Sequence, residues 1–135
     1  MTIELKRARP AATAQTIQIG KHNLTADMTL AEGGAEDGPS PHDLYDAALG
    51  ACKALTVLWY ANKKGIPVDD IRTSISRDSS AEKSGIYRLA ATLHVSGALS
   101  DDQIRELEAV AGKCPIHKLM TAITTEISTV VERLA

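Results

Sequence analysis

The stretch Ser40-Pro41-His42-Asp43-Leu44-Tyr45-Asp46-Ala47-Ala48-Leu49-Gly50-Ala51-Cys52-Lys53-Ala54-Leu55-Thr56-Val57-Leu58-Trp59-Tyr60-Ala61-Asn62-Lys63-Lys64-Gly65 decides the fold. It opens with a serine able to cap a helix, a proline at the first helical position and an acid at the third. From Leu44 to about Lys64 the apolar residues Leu44, Ala47, Ala48, Leu49, Ala51, Cys52, Leu55, Val57, Leu58, Trp59 and Ala61 cover almost the whole circumference. A helix of that kind must be enclosed on nearly every side. A chain of 135 residues has little material with which to wrap it, so a second subunit is expected to supply part of the wall. The helix should stop at Lys64-Gly65, with Pro67 beyond.

Upstream, residues 14–30 read as a hairpin. Ile17 and Ile19 precede the turn Gly20-Lys21-His22-Asn23, and Leu24, Ala26, Met28 and Leu30 then alternate. The segment from Gly33-Gly34 to Pro39 is a loop. Downstream, strands are expected near 69–77, through Ile71, Thr73 and Ile75, and near 86–96, through Leu89, Ala91, Leu93 and Val95, with the polar Arg77–Gly85 stretch between them. Ser100 caps a second helix, Gln103 completes a capping box, and Leu99 and Ile104 form a hydrophobic staple. That helix should end near Gly112. Cys114-Pro115 opens a third, short helix. Ile123, Thr125, Ile127, Thr129 and Val131, at period two, predict a closing strand. The order is α+β, and with no repeat or long linker the whole chain, residues 1–135, reads as one domain.

Composition removes several classes of function. A net charge of −2 is spread over interspersed acids and bases, with only Lys6, Arg7 and Arg9 clustered. No Phe, one Trp and three Tyr leave no platform for stacking bases, so nucleic acid is not an expected partner. The opening residues lack the apolar core of a signal peptide and no later run spans a bilayer, so no membrane partner and a cytoplasmic setting are expected. Two well-separated cysteines in such a setting are not a permanent staple.

Cys52 lies among the small residues Ala48, Gly50 and Ala51, on a helical stripe with Tyr45, Ala48, Leu55 and Trp59. One reading is a packed, inert thiol. The other is a reactive thiol, which needs a nearby cation or oriented amides because apolar burial alone disfavours the thiolate. Cys114 occupies a helix N-cap position, with Lys113, His117 and Lys118 nearby; it is either an indifferent cap or a second thiol favoured as an anion. If the two sulfurs meet, they can shuttle between dithiol and disulfide.

Ser40-Pro41-x-x-Leu44 leading into Ala47-Ala48-Leu49-Gly50-Ala51-Cys52, then Tyr60-Ala61 and Lys64-Gly65, resembles the first cysteine motif of the OsmC/Ohr family, whose proteins are linked to osmotic induction and organic hydroperoxide resistance. Gly97-x-Leu99-Ser100 and Ala111-x-Lys113-Cys114-Pro115 resemble the second. With the Gly33-Gly34 loop, the likeness runs from about residue 15 to the end. The resemblance implies an intertwined α+β homodimer with long central helices flanked by antiparallel sheets. It implies a thiol-dependent peroxidase acting on organic hydroperoxides in oxidative stress, with a dithiol or dithiol-protein reductant and no cofactor or metal. Cys52 would then be the peroxidatic thiol and Cys114 the resolving one.

The chain departs from the family at one telling place. The family's peroxidases carry a Glu ten residues before the first cysteine, bound to an Arg that stabilises the thiolate; here that position is His42. Asp43 beside it points about a hundred degrees away around the helix and is expected to serve as a cap. The family's Arg comes from the amino-terminal strands, where Arg7, Arg9 and Lys21 are available. Two other readings follow. In one, a cavity at the dimer interface, lined by both thiols, binds a small apolar ligand or electrophile without turnover; in the other, Cys114 and His117, one turn apart, join Cys52 and His42 around a metal. His94, on the polar face of its strand, and His22, in a turn, are expected to be solvated.

Overall fold

The computed structural model describes residues 1–134. In chain order it contains β1 (Glu4–Arg7), β2 (Gln15–Ile19), β3 (His22–Ala26), α1 (Pro41–Lys64), β4 (Asp70–Asp78), β5 (Arg88–Ser96), α2 (Asp101–Ala111) and α3 (Pro115–Thr121). Short 3-10 turns lie at Leu30–Glu32 and Glu82–Ser84. The α+β class expected from the sequence is therefore present, in two compact units. One comprises Met1–Gly50 with Ser74–Thr92, and the other Ala51–Thr73 with the residues from Leu93 onward.

In the first unit, β1, β2 and β3 form an antiparallel sheet in that order, with Leu5 opposite Ile17 and Ile17 opposite Leu24. β1 was not expected, because Glu-Leu-Lys-Arg shows no apolar alternation; it pairs through its backbone and all four side chains are exposed. β3 ends at Ala26, short of the expected Leu30. Asp27 terminates it by turning its carboxylate to the loop, accepting from Thr13 Oγ1 (2.5 Å) and from the amides of Met28 (2.7 Å), Ala35 (3.3 Å) and Asp37 (3.1 Å). The Thr13 hydroxyl above all, and then the amides, hold this carboxyl at about 2 instead of 3.8.

α1 begins as its sequence dictates. Ser40 Oγ accepts from the Asp43 amide (3.2 Å) and the Asp43 carboxylate accepts from the Ser40 amide (3.0 Å), closing a capping box around Pro41. It ends in a Schellman turn: Gly65 takes φ +69°, a region glycine enters without strain, and the Ile66 amide reaches the Ala61 carbonyl at 2.9 Å. Ile66 and Ala61 then join Val57, Leu107 and Ala111 in the core of the second unit, against which Tyr60, Val68, Ile71, Leu93 and Leu99 pack. Full burial of Val57 contributes on the order of 2 kcal/mol. α2 carries the expected capping box, with Ser100 Oγ accepting from the Gln103 amide and Gln103 Oε1 from the Ser100 amide.

Two expectations need correction or completion. Residues 123–134 form no strand, although their apolar residues alternate; Ile127 is 82% exposed and Val131 96%. Alternation selects a face, but a strand exists only when another edge accepts its amides and carbonyls, and this segment has no ladder partner among the described residues. Within one chain α1 is likewise enclosed on only part of its circumference. Leu49, Val57 and Ala61 are buried, whereas Tyr45, Leu55, Leu58 and Trp59 are exposed, Trp59 at 63%.

Candidate active site

Two charged residues fall in phase with the buried stripe of α1, Asp46 and Lys53, and each organises its own unit. Asp46 is 6% exposed. Its Oδ2 accepts from Arg77 Nε of β4 at 2.5 Å and its Oδ1 from the Tyr87 hydroxyl at 2.7 Å. The other arm of Arg77 gives Nη2 to Asp43 Oδ1 at 2.8 Å. Asp43 therefore caps the helix as expected and also pairs with an arginine. That arginine and the cap hold its carboxyl below the ordinary carboxylate range, while Tyr87 is pushed up by burial and by the Asp46 carboxylate.

His42 meets the Glu82 carboxylate through Nε2 at 3.0 Å and the edge of the Tyr87 ring. The basic residues favoured by the sequence are engaged elsewhere: Arg7 Nε donates to the Ala12 carbonyl and Arg9 to Asp37. An arginine–carboxylate cluster does exist, but its arginine comes from β4. The sequence reading missed Arg77 because nothing local distinguishes it in a polar loop entry, and it missed Asp46 by weighing only the apolar members of the helix.

Both cysteines belong to the second unit, and both are free thiols. Cys114 is fully buried at the N-cap of α3, where its Sγ accepts from the His117 amide at 3.4 Å. Cys52 Sγ, half-buried on α1, accepts from the amide of Ile116 at 3.5 Å. The two sulfurs thus sit against consecutive amides of one helical turn, which answers whether the two motifs meet. Cys114-Pro115 makes this possible: proline at the first position has no N–H to satisfy and starts the helix, freeing the next amides to face the sulfurs.

Lys53, 7% exposed, completes the constellation. Its ammonium donates to the Ala111 carbonyl at 2.9 Å and to His117 Nδ1 at 2.9 Å. Nδ1 is the acceptor, so the neutral imidazole carries its proton on Nε2. The sequence reading named His117 but not Lys53. The missing signal was spacing, since 46, 49, 53, 57 and 61 recur at three and four residues and place a lysine on the buried face. Among the described residues no group of three or more His, Cys, Asp or Glu side chains is placed to hold a metal ion, so Cys52, Cys114, His117 and His42 do not assemble into one.

Nor is any helix among the described residues long and apolar enough to cross a membrane. No curated protein sequence matches the chain. Solved structures do. An OsmC-like protein of Mycoplasma pneumoniae superposes with a TM-score of 0.69 at 20% identity, over 90% of this chain and 87% of that one. The organic hydroperoxide resistance protein OsmC of Legionella pneumophila gives 0.65 at 20% identity, over 90% and 88%. The organic hydroperoxide resistance protein OhrB of Bacillus subtilis gives 0.58 at 24% identity, over 90% of each chain. At these identities the likeness establishes the fold. The sequence profile of the OsmC-like protein family, however, matches residues 33–128, a span that holds both cysteines, the capping box of α1 and the whole Lys53–His117 contact. The chain belongs to the OsmC-like family.

Proposed function

We propose that this protein is a thiol-dependent peroxidase that reduces organic hydroperoxides, with Cys52 as the nucleophile and Cys114 as the resolving thiol. The observation that carries this reading is the placement of both free sulfurs on the consecutive amides of Ile116 and His117. Family membership and hydroperoxide-resistance proteins of the same fold support it.

In this reading the Cys52 thiolate attacks the distal peroxide oxygen. The O–O bond breaks, the alkoxide leaves and takes a proton to become an alcohol, and Cys52 is left as a sulfenic acid. The Cys114 thiolate then displaces hydroxide from that sulfur, which departs as water after protonation, and an intramolecular disulfide forms. A small dithiol or dithiol protein returns both thiols by exchange, as fits a cytoplasmic setting. The chemistry needs no metal or organic cofactor. A homodimer is part of the proposal: Tyr45, Leu55, Leu58 and Trp59 leave an apolar stripe of α1 in water, which a second copy would cover. Sedimentation giving a monomer at micromolar concentration would count against it.

The test is consumption of cumene hydroperoxide with dihydrolipoate as reductant. Turnover is expected to vanish in Cys52→Ser. Cys114→Ser should complete one oxidation without forming the disulfide. A wild-type rate no faster than that of the dithiol alone overturns the reading. His42, bound to Glu82 where the family's peroxidases carry Glu, favours the second reading, a cavity that binds an apolar ligand or electrophile without turnover. Ligand affinity that survives replacement of both cysteines by Ser would mark that case.

A further inference from the structure

Lys53 poses a problem that its neighbours do not solve. An ammonium removed from water is costly unless it is hydrogen-bonded and faces an anion. Both resolved partners of Lys53, the Ala111 carbonyl and His117 Nδ1, are neutral acceptors, and it takes part in no ion pair among the described residues. Lys63 and Lys64, on the same helix, sit over the Trp59 and Tyr60 rings with their heads exposed. Lys53 alone among the helix's lysines is drawn inside. The groups able to carry negative charge that this hydrogen-bonded turn brings in are the thiols. Cys52 precedes it on α1. Cys114 binds the backbone of the same His117 whose ring Lys53 holds.

We propose that Lys53 and His117 together hold one positive charge against the Cys52/Cys114 pair, and that this charge takes the thiolate-stabilising role. Their contact gives the charge two sites, with the proton on Nζ or, after transfer, on Nδ1. Because Lys53 also reaches the last residue of α2, it fixes the turn that carries Cys114 while it supplies the charge. Lys53 is thus a positioning residue as well as an electrostatic one. Of the titratable groups, His117 of α3 touches it, Cys114 accepts from the amide of that same residue and Cys52 adjoins it on α1; from α2 it meets the Ala111 carbonyl. Lys113 and Lys118 are exposed and contribute only a screened field.

This inference deepens the peroxidase reading and rests on it, yet its test does not need turnover. Site-resolved alkylation of Cys52 by iodoacetamide is followed against pH in the full chain for wild type, Lys53→Met and Lys53→Arg. Lys53→Met should move the midpoint upward and slow alkylation at pH 7 by about tenfold or more, while Lys53→Arg should stay close to wild type. A purely structural role would not restore the pH profile through arginine. An unmoved profile in folded Lys53→Met overturns the inference, and if hydroperoxide turnover persists in wild type, the peroxidase reading survives without it. A moved profile with no wild-type turnover supports the inference and removes the peroxidase reading.

If Lys53→Met does not fold, wild-type protein decides. The His117 ring titration, followed by proton NMR, should shift to lower pH once both thiols are capped with neutral carbamidomethyl groups, because an anion beside the cation has been removed. No shift overturns the inference.

Discussion

Asp46 and Lys53 lie seven residues apart on the buried stripe of α1 and are treated in opposite ways. Asp46 is neutralised by the Arg77 guanidinium and hydrogen-bonded by the Tyr87 hydroxyl, and Arg77 is itself shared with Asp43. Every charge in that cluster has a partner of opposite sign or a hydrogen bond, which is how a structural clamp is built. Lys53 meets only a carbonyl and an imidazole nitrogen, with the free thiol of Cys52 before it on α1 and that of Cys114 at the N-cap of α3. A complete cluster has nothing left to offer a reacting group; an incomplete one has charge in reserve.

The comparison breaks most visibly at Asp46. Asp46→Ala orphans a half-buried tyrosine hydroxyl and half of Arg77, and should lower stability by about 2 kcal/mol in urea denaturation while Cys52 alkylation stays at the wild-type rate. A collapse of thiol reactivity in that variant or in Arg77→Gln, with the protein folded, would transfer the activating role from Lys53 to Arg77.

Asp43→Ala sharpens the same point at smaller scale. It removes a half-exposed cap and one arm of an arginine that Asp46 still holds, so about 1 kcal/mol is expected from the same denaturation measurement. A cost equal to that of Asp46→Ala would mean that the two carboxylates act as one unit.

The smallest effect is a slope. Asp27 is held at about 2 in the folded chain and returns to the ordinary 3.8 on unfolding. A depressed carboxylate adds stability that is fully present above its unfolded value and is lost as pH falls through its folded one, so wild type should weaken between about pH 4 and pH 2. Asp43, also lowered, acts in the same direction. Asp27→Asn should flatten this part of the stability–pH curve, and an unchanged slope would place the acid sensitivity elsewhere.

Much of this molecule was legible residue by residue where the cause is local. The Ser40/Asp43 and Ser100/Gln103 boxes, the Gly65 stop and the Cys114 N-cap each depend on groups within a few positions, and all form as their sequences dictate. Cys52 and Cys114 were likewise legible as members of two family motifs, through their flanking residues. The terminal alternation from Ile123 to Val131 was misleading for a related reason: it states which side chains share a face and says nothing about a partner edge.

Sequence alone determined the α+β order, the long helix with its two caps and the identity of the two thiols, because hydrogen bonds within one or two turns and apolar periodicity decide those. Only the tertiary structure decided that the sulfurs share the first turn of α3, that Arg77 of β4 and not Arg7 or Arg9 pairs with the helix carboxylates, and that Lys53 faces inward. Those contacts join residues 31 to 64 positions apart. Their geometry depends on how whole elements pack, and no local propensity encodes that.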